Sequence, residues 1–175
     1  MEEHLSNAAT QLDKSGNMVY SPISISMALG LLVKAAEGMT RHEVMIRAFR
    51  FIDLTEVPSL LSAMACHLMQ IPEIDIYSAN GVFVDSRFAI RGQYDQYVKT
   101  MDAEAGYLDF HLRPEISREF LNSWVSVETE RRVNHLFDRN SITRDTVFAL
   151  ANALSFQADW MQPFIDKHAR IEKVV

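Results

Sequence analysis

The sequence contains a single cysteine, Cys66, among 175 residues. This count excludes an intrachain disulfide and a zinc site built from several cysteines. No apolar run approaches the length that spans a membrane, and no Asn-x-Ser/Thr sequon is present. With 17 basic and 23 acidic residues the net charge is −6, so a general affinity for nucleic acid or anionic membranes is not expected. The acidic start, Met1-Glu2-Glu3, predicts no signal peptide in this chain.

The motifs of common enzyme and metal sites are missing as well. The sequence has no G-x-S-x-G, no P-loop, no G-x-G-x-x-G and no H-E-x-x-H. Cys66 and His67 are adjacent, but neighbours on a helix point in different directions and do not form a nucleophile–base pair. The six histidines show no metal-ligand spacing. We therefore predict no enzyme, no cofactor and no metal site.

The residues that are present predict one α+β domain over 1–175. Hydrophobic residues make up 48% of the chain and charged residues 23%, which are ordinary globular values. Ser21 and Pro22 are a helix cap and a first helical residue, and Gly38 and Thr40 are typical of the end of that helix and the start of the next. The main predicted elements are a helix over 23–36, a helix over 55–70, a strand over 74–84, a long helix from Pro114 and a strand over 147–156.

The last strand and the long helix each carry a distinct apolar pattern. Along the strand, large residues fall on one face and small residues on the other: Phe148, Leu150, Leu154 and Phe156 against Ala149, Ala151 and Ala153. Along the helix, Ile116, Phe120 and Trp124 repeat every four residues. We therefore expect Phe120 and Trp124 to pack this helix onto the sheet.

Three serines, Ser21, Ser24 and Ser26, lie at the start of the helix over 23–36. From the residues alone, Ser21 is a helix cap and the other two are hydroxyls that bond to nearby backbone. A catalytic role for them is not indicated, because no base accompanies them.

Four blocks of sequence resemble, in order, the signatures of the serpins, a family of protease inhibitors. The blocks are residues 17–40 with Tyr20-Ser21-Pro22-Ile23-Ser24, residues 78–84 with Asn80 and Phe83, residues 121–129 with Asn122 and Trp124, and residues 151–164 with Asn152, Trp160 and Phe164. The resemblance implies the N-terminal half of the serpin fold. In that half, helices pack on a short, mainly antiparallel sheet made of three strands of the family's main sheet.

The resemblance also implies roles for individual residues. It places Ser21, Ser24 and Asn152 in the shutter, the region beneath the point where the main sheet parts. It places Trp160 at the breach. The family's histidine partner in the shutter lies downstream of these residues, so another side chain or water is expected to satisfy the cluster.

The sequence departs from the family pattern at a few positions. Ala35 stands where the family has glycine, and Gln157 and Ala158 stand where it has lysine and glycine. Some serpins bind heparin through a basic helix, but the corresponding residues 55–70 contain no lysine or arginine. Heparin binding is therefore not expected.

The resemblance implies a mechanism of protease inhibition, but these residues include only part of the structure that this mechanism requires. In serpins a protease cleaves a bait loop, which then inserts as a new strand into the main sheet. The bait loop follows Phe164 in the family, so we expect a truncated serpin-like chain that does not trap proteases and acts as a binding module. The alternative is that the chain is the N-terminal fragment of an inhibitory serpin, with a serine or cysteine protease as its partner. Members of the family are cytoplasmic or secreted, and the resemblance implies one of these two locations.

In a truncated chain, the strand over 147–156 would have no neighbouring strand on one edge, where complete members of the family have one. Its apolar residues Phe148, Leu150, Leu154 and Phe156 would then lie on an exposed edge strand, which recruits another strand. We therefore expect a homodimer or a strand-addition partner. The competing interpretation is that residues 165–175 cover this edge.

Overall fold

The computed structural model describes residues 20–49, 56, 59, 60, 63, 67 and 74–162. Its elements, in chain order, are α1 (Pro22–Ala35), α2 (Gly38–Val44), a π-helical turn (Met45–Phe49), β1 (Ile74–Asp85), α3 (Gly92–Thr100), β2 (Glu104–Leu108), α4 (Pro114–Glu128) and β3 (Phe148–Ala158). The predicted helix over 55–70 lies mostly outside the described residues. No described helix is both long enough and apolar enough to span a membrane.

The strands form one mixed sheet in the order β2–β1–β3. β1 and β3 are antiparallel over eleven residue pairs, from Ile74 opposite Ala158 to Val84 opposite Phe148. β2 adds a parallel pairing of five residue pairs at the other edge of β1. The α+β class and the mainly antiparallel three-stranded sheet are therefore confirmed.

Both faces of the sheet are covered, which explains the apolar residues on both sides of β1 and β3. On the face that we call the back, Val82 packs with Met27 and Leu31 of α1, and Phe148 and Leu150 border this cluster. On the front face, the three alanines of β3 pack with Phe83 and the buried residues of α4. The predicted division of β3 into a large-residue face and an alanine face is correct.

The start of α1 follows the prediction, and the start of α2 does not. Ser21 caps α1, because its side chain accepts a hydrogen bond from the Ser24 backbone N–H at 3.3 Å, and Pro22 is the first helical residue. α2 begins at Gly38, two residues before the predicted Thr40. Gly38 has a φ of 58°, a left-handed conformation that glycine adopts without steric cost, so it joins the two helices directly.

The long helix α4 lies across the front of the sheet. The face that it buries against the sheet differs from the predicted one. Trp124 is buried at 8% exposure, but Phe120 is 47% exposed and Ile116 is 61% exposed. Of the two residues expected to pack α4 on the sheet, Trp124 is buried, whereas Phe120 is half-exposed and meets the Phe83 ring of β1 edge-on. Residues four apart advance by about 40° around a helix, so a strict four-residue repeat rotates away from a fixed surface. The buried face instead consists of Ser117, Leu121, Asn122, Trp124 and Val125.

Candidate functional site

A chain of polar side chains links α1 to both long strands of the sheet. The Ser24 hydroxyl donates a hydrogen bond to Oδ1 of Asn152 in β3. Nδ2 of Asn152 donates to Oδ1 of Asn80 in β1 at 2.6 Å, and Nδ2 of Asn80 donates to Oγ of Ser78 at 2.9 Å. We call Ser24, Asn152, Asn80 and Ser78 the polar cluster.

The strand register explains how the polar cluster forms. Asn80 and Asn152 are directly opposite each other in the antiparallel pair, where side chains on one face are close enough to interact. Ser24 reaches the same face because the capped first turn of α1 packs beneath the strands. Ser24 and Asn80 are 7% and 5% exposed. The cluster therefore ties three elements together by hydrogen bonds in the back layer of the fold.

Ser21 lies next to the polar cluster but bonds elsewhere. Its hydroxyl oxygen accepts from the backbone of Ser24, and Ser26 donates to the Pro22 carbonyl at 2.8 Å. The structure thus brings Ser24 and Asn152 into contact and gives Ser21 the supporting role of a cap. Asn80 and Ser78 were not assigned to the cluster from the sequence. Their position two residues apart on the same strand face was the available signal.

The chemistry of the polar cluster is that of a structural joint. Its hydroxyl and amide groups do not titrate in the physiological range, and it contains no base that could activate a nucleophile. Among the described residues, no buried side-chain nitrogen or oxygen lacks a hydrogen-bond partner. No group of three or more metal-binding side chains occurs in the described part of the chain. The arrangement holds the helix and strands in register.

The front face of β1 is fixed by an aromatic contact. The Trp124 ring meets the Phe83 ring edge-on, with centroids 5.0 Å apart, and its indole N–H donates to Glu104 of β2 at 2.6 Å. The half-exposed Phe120 also meets Phe83 edge-on, at 6.2 Å. Gly81 leaves the space that the indole occupies, because a Cβ there would lie 2.7 Å from the Trp124 ring.

Two tyrosines of α3 secure the other end of α1. Tyr94 donates to the Leu31 carbonyl at 3.0 Å, and Tyr97 donates to the Gly30 carbonyl at 3.1 Å. Burial raises the pKa of each phenol to about 12. Because the protonated phenol is the hydrogen-bond donor, both contacts are intact at physiological pH.

A buried carboxylate fixes the lower end of the sheet, where β1 ends. Asp85 is fully buried, and its oxygens accept from Arg87 Nε at 2.5 Å and from the His111 backbone N–H at 3.0 Å. The hydrogen bond from Arg87, which outweighs the effect of desolvation, lowers the pKa of Asp85 below its usual value. The carboxylate is therefore charged and fully used by structural contacts.

β3 is one of the two edge strands of the described sheet, and β2 is the other. Phe148, Leu150 and Leu154 are half-buried against the back layer, whereas Phe156 is 61% exposed. Trp160, which the sequence placed at a breach, follows β3 and is 70% exposed. The C-terminal end of β3 therefore presents aromatic surface to solvent.

The chain belongs to the serpin family. The family model described as "Serpin (serine protease inhibitor)" matches residues 4–173, which is nearly the whole chain. The family predicted from the four sequence blocks is confirmed.

Several curated proteins are similar to the chain over most of its length. Alpha-1-antiproteinase S of Cavia porcellus is 30% identical over 175 residues, which cover 93% of this chain and 41% of that protein. Serpin B4 of Homo sapiens is 28% identical, with 91% and 45% covered. Leukocyte elastase inhibitor of Xenopus tropicalis is 26% identical, with 96% and 48% covered. The chain spans less than half the length of these relatives.

Solved serpin structures share the fold. The native stressed conformation of AtSerpin1 from Arabidopsis has a TM-score of 0.84 at 20% identity, covering 94% of this chain and 43% of the other. Uncleaved ovalbumin has a TM-score of 0.83 at 23% identity, covering 94% and 45%. The described helices and three-stranded sheet are therefore a serpin-type arrangement.

Proposed function

We propose that these 175 residues form a non-enzymatic interaction module that accepts an added strand along the free edge of β3. One observation carries the proposal. β3 pairs over eleven residues with β1 on one side, and no strand of the described chain pairs with its other side. An unpaired strand edge offers a row of backbone donors and acceptors to any extended segment.

The surroundings of β3 support this role. An accepting strand must hold its shape when unpaired, and β3 is supported from both faces. The polar cluster and α1 support its back face, and the buried residues of α4 support the alanines on its front face. A rigid edge has little conformational entropy left to lose on binding, which favours association.

We propose a second copy of the chain as the simplest partner, giving a two-fold homodimer. The probe is a synthetic peptide of residues 148–158, whose affinity for the chain is measured by isothermal titration calorimetry. The matched control is the same peptide N-methylated at alternate residues, which blocks main-chain hydrogen bonds without changing the side chains. Binding of the plain peptide alone supports strand addition. Equal binding of both peptides, or of neither, would refute it.

A protein variant tests the same edge. Phe156→Lys places a charge on the exposed C-terminal half of β3, and charged residues on edge strands oppose strand pairing. We expect it to weaken peptide binding and to shift sedimentation toward monomer. Val127→Lys, on the outer face of α4 at 72% exposure, adds the same charge away from the edge and should change neither measurement.

The second candidate function is protease inhibition, with the chain acting as part of a complete serpin. It is favoured by the names of two relatives, leukocyte elastase inhibitor and alpha-1-antiproteinase S. Titration of elastase with the longest protein product that contains these residues, followed by denaturing electrophoresis, tests it. A covalent complex resistant to SDS would support inhibition and overturn the proposal of a module that only binds.

A further inference from the structure

A pocket opens at the end of the sheet where β1 finishes and β3 begins. Its volume is about 450 Å³, which is within the usual range of small-molecule sites. The apolar part of its lining comes from separate stretches of the chain: Ala35, Val84, Ala89, Ile90, Tyr94 and Phe148. Val84 and Phe148 are directly opposite each other in the strand pair and border the apolar cluster on the back face. The interior of the pocket is therefore suited to an aliphatic group.

Hydrogen bonds hold the walls of the pocket in place. The Tyr94 hydroxyl donates to the Leu31 carbonyl at 3.0 Å, which joins the wall formed by α3 to the wall formed by α1. At the sheet, the Asp85 N–H donates to the Val147 carbonyl at 2.9 Å, so the ends of the two strands are joined as well. A preformed pocket loses little conformational entropy when a ligand enters it.

Two cationic side chains, Lys34 and Arg91, line the same pocket and are exposed, so they stand at its rim. The Lys34 ammonium lies over the Tyr97 ring, 5.5 Å from the centroid, and no carboxylate of the described residues forms an ion pair with it. Arg91 pairs with Glu37 at 2.9 Å, but these side chains are 83% and 77% exposed. An ion pair this exposed is weak, so Arg91 can exchange its partner. The rim therefore carries a net positive charge, although the whole chain has a net charge of −6.

We propose that this pocket, which we call the α1–α3 pocket, binds a medium-chain aliphatic carboxylate. The alkyl tail fills the apolar interior and excludes water from it, which supplies most of the affinity. The carboxylate stays at the rim, where Lys34 pairs with it and Arg91 exchanges Glu37 for it. A neutral alcohol of the same length uses only the interior, and a carboxylate without a tail uses only the rim. Binding at the α1–α3 pocket does not depend on strand addition, because β3 contributes only its first residue, Phe148, to the lining.

Isothermal titration calorimetry of the 175-residue chain tests the pocket with hexanoate, octanoate and decanoate, each below its micelle concentration. Each step of two methylene groups should tighten binding about tenfold, because every methylene that leaves water adds to the affinity. Decanol is the uncharged ligand of matched length, and it should bind about tenfold more weakly than decanoate because it pairs with neither cation. Equal affinity for decanol and decanoate, or no binding of decanoate, would overturn the proposal.

Variants at the rim locate the carboxylate, and all the substituted side chains are exposed, so the fold is kept. Lys34→Met and Arg91→Met should each weaken decanoate binding about threefold and leave decanol binding unchanged. Glu37→Gln should strengthen decanoate binding about twofold, because it removes the carboxylate that competes for Arg91. Lys99→Met is the matched control, since Lys99 is a cation of α3 that pairs with Asp95 outside the pocket, and it should change neither affinity. An equal loss in Lys99→Met, or weaker binding in Glu37→Gln, would show that decanoate binds elsewhere and would overturn the site.

Discussion

Replacing Asn152 by alanine is the most direct perturbation of the polar cluster. Its carboxamide accepts from the Ser24 hydroxyl and donates to Asn80, so the truncation removes both bonds in one step. Both partners are almost fully buried, and water does not freely replace what they lose. The connection between α1 and the β1–β3 pair then depends on apolar contact alone.

The size of the effect follows from the two groups left behind. A buried donor or acceptor without a partner costs about 1–3 kcal/mol. The Ser24 hydroxyl recovers part of this, because it can turn toward the carbonyl of the capping residue Ser21, three residues before it. The Asn80 carboxamide keeps its bond to Ser78 through Nδ2, but its Oδ1 loses its donor and, on a strand, has no such alternative. We therefore expect Asn152→Ala to lower the free energy of unfolding by about 2–4 kcal/mol.

Urea denaturation followed by tryptophan fluorescence measures this loss, with the buried Trp124 as reporter. Ser155→Ala is the matched control, since it removes a polar group from the same strand, and the structure shows no side-chain hydrogen bond for Ser155. Ser24→Ala should cost less than Asn152→Ala. The double variant should cost less than the sum, because the two residues share one bond. If Asn152→Ala and Ser155→Ala were equally mild, the cluster would not hold the strands.

The remaining predictions concern the front face and the α3 contact, and each is measured by urea denaturation followed by circular dichroism, because Trp124→Ala removes the fluorescent reporter. Trp124→Ala should cost about 3–5 kcal/mol, whereas the half-exposed Phe120 should cost less than half as much on truncation. Gly81→Ala should cost about 1–3 kcal/mol, because its Cβ would overlap the indole, while Gly92→Ala, with open space around it, should be neutral. The stabilising bond from Tyr97 should be present below pH 10 and lost as the pH rises through about 12, because its folded-state pKa is raised. In Tyr97→Phe the alkaline loss of stability should shrink to the part that comes from Tyr94.

Much of the fold could be predicted because its signals are local. The two-residue alternation of β3 identifies a strand with two covered faces, and Ser21-Pro22 identifies the start of α1. Both patterns depend only on neighbouring residues. The start of α2 was placed at Thr40 because the sequence there resembles a capping box, but Gly38 already has the conformation that joins the helices.

The parts that could not be predicted depend on residues far apart in the sequence. Phe120 shares a four-residue repeat with Trp124, but which residues of α4 face the sheet is decided by the angle at which the helix crosses it. The pairing of Asn80 with Asn152 requires the strand register, and the contact of Arg132 with Tyr77 requires the left-handed turn after α4. A single sequence contains these residues without indicating that they meet.

The use of hydrogen bonds at the centre of the back layer has a physical consequence. Apolar residues at Ser24, Asn80 and Asn152 would bury more apolar surface, but their contact energy falls gradually as the elements move apart. Hydrogen bonds are lost over a fraction of an ångström and depend on direction. The polar cluster therefore makes the position of α1 beneath β1 and β3 nearly all-or-none. A strand that is to accept another along its free edge benefits from this, because the register of its backbone groups is fixed before the partner arrives.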